Sequence, residues 1–313
     1  ALRAEPWRQR GIEWLATRPT MLGGLLAGYR NLYPLLPARL RPLPRPPAPD
    51  ASPRSRWKAG KGARRSDKPS DLGTTSATPT PTPTLPRRQP SEQEAVAVFL
   101  GCFARPYEAG LQEAVRRLCL AAGVMVSPAA DQACCGALHA HAGDVSRAGA
   151  MAARNHAAFA GSGTVLTLAS GCHAAVADSL RGVAQVVDAL DFLVERADGL
   201  RFEPAHERIA LHVPCTQRNI VRSDVATRSL LGRIPGLDLV KLDAGYGCCG
   251  AAGTQMLTEP ARAAAYRQPL LEQLGASGAT RLLSANIGCR LHFANGTRVR
   301  VQHPLEFLAE CLQ

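Results

Sequence analysis

The sequence carries the same arrangement of cysteines twice, and this duplication constrains the fold more than any other feature. A cysteine pair followed by glycine occurs at residues 134–136 and again at residues 248–250. One further cysteine precedes each pair and another follows it. The two resulting sets are Cys102, Cys134, Cys135 and Cys172, and Cys215, Cys248, Cys249 and Cys289. Because matching cysteines lie 113, 114 and 117 residues apart, the sequence predicts two related halves.

The hydrophobic pattern around these cysteines predicts alternating strands and helices. The runs "AVAVFLGC" and "RIALHVPC" are typical of buried strands, with Cys102 and Cys215 as their last residues. Apolar residues between Leu111 and Ala122 then recur on one helical face, which Gly123 ends. The runs "TVLTLASGC" and "TRLLSANIGC" indicate a further strand in each half. The alternation predicts an α/β fold of two duplicated βα-type domains with parallel sheets.

Composition divides the 313 residues into four parts. Residues 1–40 have apolar residues at helical spacing and are interpreted as a helical N-terminal remnant. Residues 41–94 are rich in Pro, Ser and Thr, and "TTSATPTPTPTLP" can neither continue a helix nor fill a core. This part is predicted to be a disordered linker. The two cysteine-rich domains are predicted at residues 95–203 and 204–313.

The positive charge lies outside the predicted domains. The formal net charge is +12, of which residues 1–94 carry +10 and the remainder only +2. A solvated linker explains this excess better than nucleic-acid binding, although such a segment can also contact acidic surfaces or lipid head groups. The chain has no apolar run of the roughly 18 residues that a membrane helix needs, and no signal peptide is recognised. We therefore expect a cytoplasmic location, including the inner face of the membrane.

The cysteines themselves indicate metal binding. Neighbouring Cα atoms lie about 3.8 Å apart, whereas a relaxed disulfide needs roughly 4.4–6.8 Å, so neither cysteine pair is suited to an internal disulfide. Structural zinc sites usually contain C-x₂-C knuckles, which this chain lacks. Four thiolates near strand ends and a glycine-flanked turn can instead surround an iron–sulfur cluster. The turn's backbone N–H groups would point toward the negative sulfides.

The spacing of these motifs resembles a known family. "C-x31-CCG" followed by "GC", and "HVPC" through "CCGAAGT" to "SANIGC-x-x-H", are similar to the tandem cysteine-rich CCG domains of heterodisulfide reductase-related proteins. Within that group the chain most resembles the iron–sulfur subunits of glycolate oxidase and of lactate utilisation. The resemblance covers residues 95–313, and residues 1–40 loosely. The ferredoxin-like segment found in those subunits is absent, so either it was removed or this protein works without it.

The resemblance implies one or two [4Fe–4S] clusters, held by the eight cysteines. One departure concerns the last element, which is C-x₂-C in heterodisulfide reductases. Here the position three residues after Cys172 is Ala175, and that after Cys289 is His292. This favours an ordinary four-cysteine cubane in each half over a five-cysteine non-cubane cluster. His292 is predicted to be an extra ligand or an outer hydrogen-bond donor.

Other candidate residues receive structural interpretations. Cys119 is expected in the core of its helix, and Cys311 is expected to have no role at the site. His212 is interpreted as a core histidine, and His303 as the residue that opens the last helix. The remaining two candidates, which follow the first cysteine pair, are predicted to be exposed loop histidines with an outer-shell role as the alternative. These are His139 and His141.

The function implied by the resemblance is electron transfer. The chain is expected to pass electrons from flavoprotein partner subunits, which oxidise glycolate or lactate, toward a quinone-type acceptor. It would have no catalytic residues and no hydroxy-acid activity alone. Two alternatives remain at this stage: heterodisulfide or thiol–disulfide reduction at the cluster, and a zinc-binding assembly module without redox activity.

Overall fold

The N-terminal segment forms two helices, as its spacing predicts. The computed structural model describes residues 6–37, 40–47, 94–128, 131–245 and 247–313. Helix α1 spans Pro6–Ala16 and α2 spans Pro19–Leu32, and a 3₁₀ turn follows at Tyr33–Leu35. Most of the predicted linker, residues 48–93, lies outside the described residues.

Residues 40–47, which the sequence assigns largely to the linker, pack back along α2. Leu43 is buried, and its carbonyl oxygen accepts a 2.6 Å hydrogen bond from the Tyr29 hydroxyl. The Tyr107 hydroxyl donates to the Pro44 carbonyl at 3.3 Å. The N-terminal packing unit therefore extends beyond residue 40.

Each half contains one four-stranded, fully parallel sheet, which confirms the predicted α/β class. In the first half the strands are Ala95–Phe99 (β1), Met125–Pro128 (β2), Gly163–Thr167 (β3) and Ala184–Asp188 (β4). In the second they are Arg208–His212 (β5), Asp238–Lys241 (β6), Arg281–Ser284 (β7) and Arg300–Gln302 (β8). The strand orders, β2-β1-β3-β4 and β6-β5-β7-β8, are equivalent.

Helices connect the parallel strands, as crossover connections require. The first half has Ala104–Tyr107 (α3), Ala109–Ala121 (α4), Ala137–His141 (α5), Val145–Ala158 (α6), Ser170–Ser179 (α7) and Ala189–Val194 (α8). The second has a π-helical turn at Gln217–Val221, then Asp224–Leu231 (α9), Gln255–Thr258 (α10), Pro260–Ser277 (α11), Ile287–Ala294 (α12) and Pro304–Glu310 (α13). The described helices include none with the length and apolar character needed to cross a membrane.

The strands end before the cysteines, which corrects the prediction that cysteine is the last strand residue. Strand β1 ends at Phe99 and β5 at His212, so Cys102 and Cys215 each lie three residues further on. The final cysteine of each half lies in the first turn of a helix, α7 or α12. The backbone leaves the sheet before each of these cysteines, so that the cysteine side chain can point beyond the ends of the strands.

The two halves share a hydrophobic core. One face of β1 and β3 and one face of β5 and β7 line the same cluster of buried residues, as the two-residue side-chain period of strands allows. Helix α13, the last of the second half, packs on α4, the first long helix of the first half. In the same way, helix α8, the last of the first half, packs on α9, the first α-helix of the second half. The exchange of helices gives the pair an approximate two-fold relation.

Candidate metal centre

All eight predicted ligands lie at the carboxyl ends of the parallel strands. In each sheet the chain runs to one side of the central strand and then returns to the other, which creates a crevice between β1 and β3 and between β5 and β7. Open α/β sheets bind ligands at such positions. Cys102 follows β1 and Cys172 begins α7 after β3, while the cysteine pair lies in the loop after β2. The second half repeats this placement.

The four cysteines of the first half contact one another. The sulfur atoms of Cys102 and Cys134 lie 3.3 Å apart. Cys135 forms hydrogen bonds with both Cys134 and Cys172. Cys134 and Cys135 are each only 8% exposed. We call this set the first quartet.

The second quartet consists of the remaining four predicted ligands. The sulfur atoms of Cys249 and Cys289 lie 3.1 Å apart, and the backbone N–H of Gly250 donates to the Cys248 sulfur at 3.2 Å. Cys215 lies near enough to Cys248 and Cys249 for their charges to interact. The predicted direction of backbone N–H groups toward sulfur is thus observed at Gly250.

Hydrogen bonding divides the thiols of each quartet by acidity. A hydrogen bond with Cys102, supported by one with Cys135, holds the pKa of Cys134 well below its ordinary value. The same interaction raises the pKa of Cys102 well above that value, because its proton is shared with Cys134. In the second quartet the hydrogen bond with Cys289 lowers the pKa of Cys249. Each quartet therefore favours one thiolate, which is the form that binds metal.

The glycine after each pair has a backbone conformation that favours glycine. Gly136 has φ +80° and Gly250 has φ +90°. A Cβ atom at Gly250 would overlap the carbonyl oxygen of Ala263 on α11, whereas one at Gly136 would lie 3.4 Å from Ala148 on α6. The turn thus packs directly against the following long helix, and more tightly in the second half.

His292 is placed differently from the prediction that it serves as a ligand or outer donor. Its Nε2 lies 3.0 Å from the Ala263 carbonyl oxygen, and its Nδ1 lies 3.4 Å from the Arg267 guanidinium. Burial lowers the pKa of His292 to about 4, so the ring is neutral and its Nε2–H donates to Ala263. Because the same carbonyl contacts Gly250, His292 supports the turn that carries Cys248 and Cys249 from behind.

Of the other four candidate histidines, three are buried and one is exposed. His139, expected in an exposed loop, is buried at 1% exposure because α5 packs on α6 and α7, whereas His141 is exposed beside the cysteines. His212 is a buried core residue hydrogen-bonded to Ser284 at 3.0 Å. His303 caps α13 by accepting from the Leu305 N–H.

The two cysteines outside the quartets lie in the shared hydrophobic core, as expected for Cys119. Cys119 is completely buried, and burial raises its pKa to about 12. Cys311 belongs to the same core cluster, where the sequence assigned it no role.

Both quartets line a single cavity of about 650 Å³, which the sequence did not predict. At the boundary between the halves, the Ser170 and Thr216 hydroxyls lie 2.8 Å apart, and the Asn286 side-chain amide donates to both at 3.3 Å. The Ser170 backbone N–H also donates to the Ala285 carbonyl. These contacts hold the cysteine-bearing loops of one half against those of the other. The only sequence feature that could have indicated these contacts is Asn286 itself, the residue that caps the N-terminus of α12 just before "IGC".

The donor set suits an iron–sulfur cluster. Four thiols converge in each half beside backbone N–H groups, as cysteine-ligated clusters require. Within the described ranges, no three His, Cys, Asp or Glu side chains are spaced to hold one metal ion. The sulfurs instead contact each other, so binding a cluster requires them to separate toward the cavity, which has room for this movement.

Comparison with known proteins agrees with this arrangement. The cysteine-rich domain family CCG matches twice, at residues 96–177 and 209–294. The chain belongs to this family. Each CCG match contains one complete quartet and the first three strands of one sheet, and it ends before the fourth strand, β4 or β8.

Curated relatives of this CCG chain are parts of larger enzymes. It is 29% identical over 248 residues to the glycolate oxidase iron-sulfur subunit of Escherichia coli K12, covering 73% of the chain and 60% of that protein. It is 27% identical to one subunit of that organism's anaerobic glycerol-3-phosphate dehydrogenase, covering 72% and 61%. It is 25% identical to one subunit of the fumarate reductase (CoM/CoB) of Methanothermobacter marburgensis, covering 68% and 45%. The chain spans about half the length of these relatives.

Proposed function

We propose that this chain is the iron–sulfur electron-transfer subunit of a flavin-dependent 2-hydroxy-acid oxidoreductase. Oxidation of glycolate or lactate to the 2-oxo acid by a flavoprotein partner releases two electrons and two protons. The electrons pass through this chain and, with two protons, reduce a quinone-type acceptor to the quinol. The similarity to a glycolate oxidase iron-sulfur subunit supports this substrate class.

The observation that carries the proposal is the convergence of two equivalent cysteine quartets on one cavity. In this role the eight thiolates would hold one [4Fe–4S] cluster per half, and a bound cluster would supply one-electron redox chemistry. The Gly250 N–H would stabilise the negative charge at Cys248. The Asn286 amide would keep the two quartets at a fixed separation.

Anaerobic reconstitution with iron and sulfide tests the proposal. We expect stoichiometric iron and sulfide, an EPR signal after reduction, and no glycolate or lactate oxidation by the chain alone. The matched control is Cys119→Ser, because Cys119 lies in the core and should not alter iron content. Failure to retain iron and sulfide, or stoichiometric zinc in protein purified anaerobically, would contradict the proposal.

Thiol–disulfide reduction is a second candidate at the same place. The contacts between Cys102 and Cys134 and between Cys249 and Cys289 favour it, because paired thiols of unequal acidity suit thiol–disulfide exchange. Reduction of a disulfide to two thiols consumes two electrons and two protons, which two reduced viologen molecules, each giving one electron, and water would supply. Disulfide-dependent oxidation of the viologen by the reconstituted chain would support this candidate.

A further inference from the structure

The N-terminal helices expose an unusual amount of apolar surface. Residues 6–47 are a small part of the described chain, yet they hold seven of its twelve exposed large apolar side chains. The seven are Trp7, Trp14, Met21, Leu25, Leu32, Leu35 and Leu40. Scattered exposed apolar residues are ordinary, but such a concentration marks an interaction surface.

Helix α2 has two apolar faces, and the described residues of the chain cover only one of them. Leu22 and Leu26 are 5% and 6% exposed and pack in a cluster with Leu291 of the second half. This contact anchors the helix to the cysteine-rich domains. Since the anchoring face already buries these leucines, the second apolar face is not needed to hold α2 in place.

The uncovered face contains Met21, Leu25 and Leu32, which are 46%, 55% and 56% exposed. Their spacing of four and seven residues places them in one line along the helix. Gly24 and Gly28 lie beside this line, and a Cβ atom at either would meet nothing within 4 Å. The face is therefore flat, apolar and open. We call it the α2 face.

The segment that carries the α2 face is strongly basic. Residues 6–47 contain, among their described positions, six arginines and one carboxylate, Glu13, which is buried at 3% exposure. The Arg8 guanidinium lies 5.2 Å from the Trp7 ring centre, and that of Arg18 lies 4.0 Å from the Trp14 ring centre. Aromatic and positive groups thus lie together near both ends of α1.

We propose that the α2 face, with Trp7 and the arginines of the same segment, binds an anionic lipid surface. Amphipathic helices bind the bilayer interface through apolar burial and attraction of Lys or Arg to acidic head groups, and Trp is suited to the boundary between them. The charge decides the occupant, because a second copy of this segment would bring arginines against arginines. The proposal goes beyond electron transfer and does not depend on cluster binding.

The N-terminal helices lie beside the cysteine cavity. Gln9 and Ile12 on α1 line that cavity, and Met256 and Leu257, which pack near α2, line it from the second half. Lipid binding would therefore hold the cavity close to the membrane surface.

Sedimentation with lipid vesicles tests the proposal on the full chain. We expect binding to vesicles of phosphatidylcholine mixed with phosphatidylglycerol, weak binding to pure phosphatidylcholine, and a shift of tryptophan fluorescence to shorter wavelength. Leu25→Glu combined with Leu32→Glu should lower the partition coefficient roughly tenfold or more, because apolar burial is lost and negative charge is added. Replacing Arg10 by Gln should lower it about fivefold, as expected for one charge near an anionic surface.

The matched control is Val145→Glu combined with Val225→Glu. These valines are 75% and 63% exposed and lie in the first turns of α6 and α9, where glutamate is well tolerated. Residues 48–93 stay unchanged in every variant, so their charge cannot explain a difference. Circular dichroism checks that the fold is retained.

Three outcomes would overturn the proposal. The first is no binding to the anionic vesicles. The second is equal binding by the Leu25→Glu/Leu32→Glu variant and the wild type. The third is a lipid-independent dimer, seen by light scattering, that this variant dissociates, which would assign the α2 face to a second copy of the chain.

Discussion

At the scale of single residues, the two halves differ most clearly at the glycine that follows each cysteine pair. We predict that Gly250→Ala is more damaging than Gly136→Ala. Both substitutions force alanine into the left-handed region, at a cost of roughly 1–2 kcal/mol. Only the first also pushes a Cβ atom into the Ala263 carbonyl, which His292 holds in place. Thermal unfolding and iron retention measure the difference, and equal effects would contradict the tighter packing of the second turn.

The cysteines give a second prediction at this scale. Cys135→Ser and Cys249→Ser should each lower the iron content of the reconstituted chain, since a cluster ligand is lost in one half. Iron analysis and EPR should show a partial loss in either variant and a nearly complete loss when the two are combined. Cys119→Ser is the matched control, because its sulfur is buried in the shared core. Full iron content in the double variant would exclude the quartets as the metal site.

Asp188 gives a pH prediction, because burial raises its pKa from 3.8 to about 7. Between these values the unfolded chain has lost the proton that the folded chain keeps, so folding stability falls as pH rises. The fall should amount to roughly 4 kcal/mol between about pH 4 and pH 7, with little change above. Asp188→Asn should remove this dependence while still accepting from the Leu190 N–H. Denaturant unfolding at a series of pH values measures the free energy of unfolding. The same pH dependence in Asp188→Asn as in the wild type would contradict the prediction.

Residue identity and spacing were sufficient to predict that the eight cysteines fall into two sets of four and that Cys119 lies in the core. The role of the eight as ligands stays a prediction. Identity and spacing did not predict the roles of His139 and His292. The histidine three residues after Cys289 occupies a ligand position by sequence, but it lies in the last turn of α12, where its ring contacts Ala263 on a neighbouring helix. A long-range contact decides this, and local spacing contains no information about it.

At the scale of elements, helix α4 was predictable and several strands were not. Helix α4 shows clear apolar spacing, whereas β2 and β6 are strands of only four residues, "MVSP" and "DLVK". Their pairing with β1 and β5 comes from tertiary contacts that override weak local preference. The packing of α13 on α4 and of α8 on α9 also depends on contacts between distant residues, so local sequence does not predict it.

That packing leads to a fourth prediction. Leu308 on α13 is fully buried against the first half, so Leu308→Ala should destabilise the whole chain by roughly 2–5 kcal/mol. Both halves should still unfold in one transition, because they share a core. Hydrogen exchange measured for individual segments shows whether the two halves lose protection together. Loss of protection in residues 204–313 alone would show that the first half is stable without α13.

At the scale of the whole molecule, the predicted linker can be tested by deletion. Residues 48–93 contain no cysteine, and the cysteines and the elements around them lie elsewhere in the chain. Replacing this segment with a Gly/Ser linker should therefore leave iron content and thermal stability unchanged. A comparable loss of iron in this variant and in Cys249→Ser would contradict the prediction.

The packing of α13 on α4 also sets an order of events during synthesis. About 180 residues separate these helices, so at roughly 5–20 residues per second the ribosome takes on the order of ten seconds or more to supply the partner of α4. Throughout that interval the first half has its four cysteines but an unfinished core. A chain that stops short of residue 304 never receives this helix. Helix α13 thus completes the core of a half whose own residues are made well before it, and a chain that lacks this helix leaves that core unfinished.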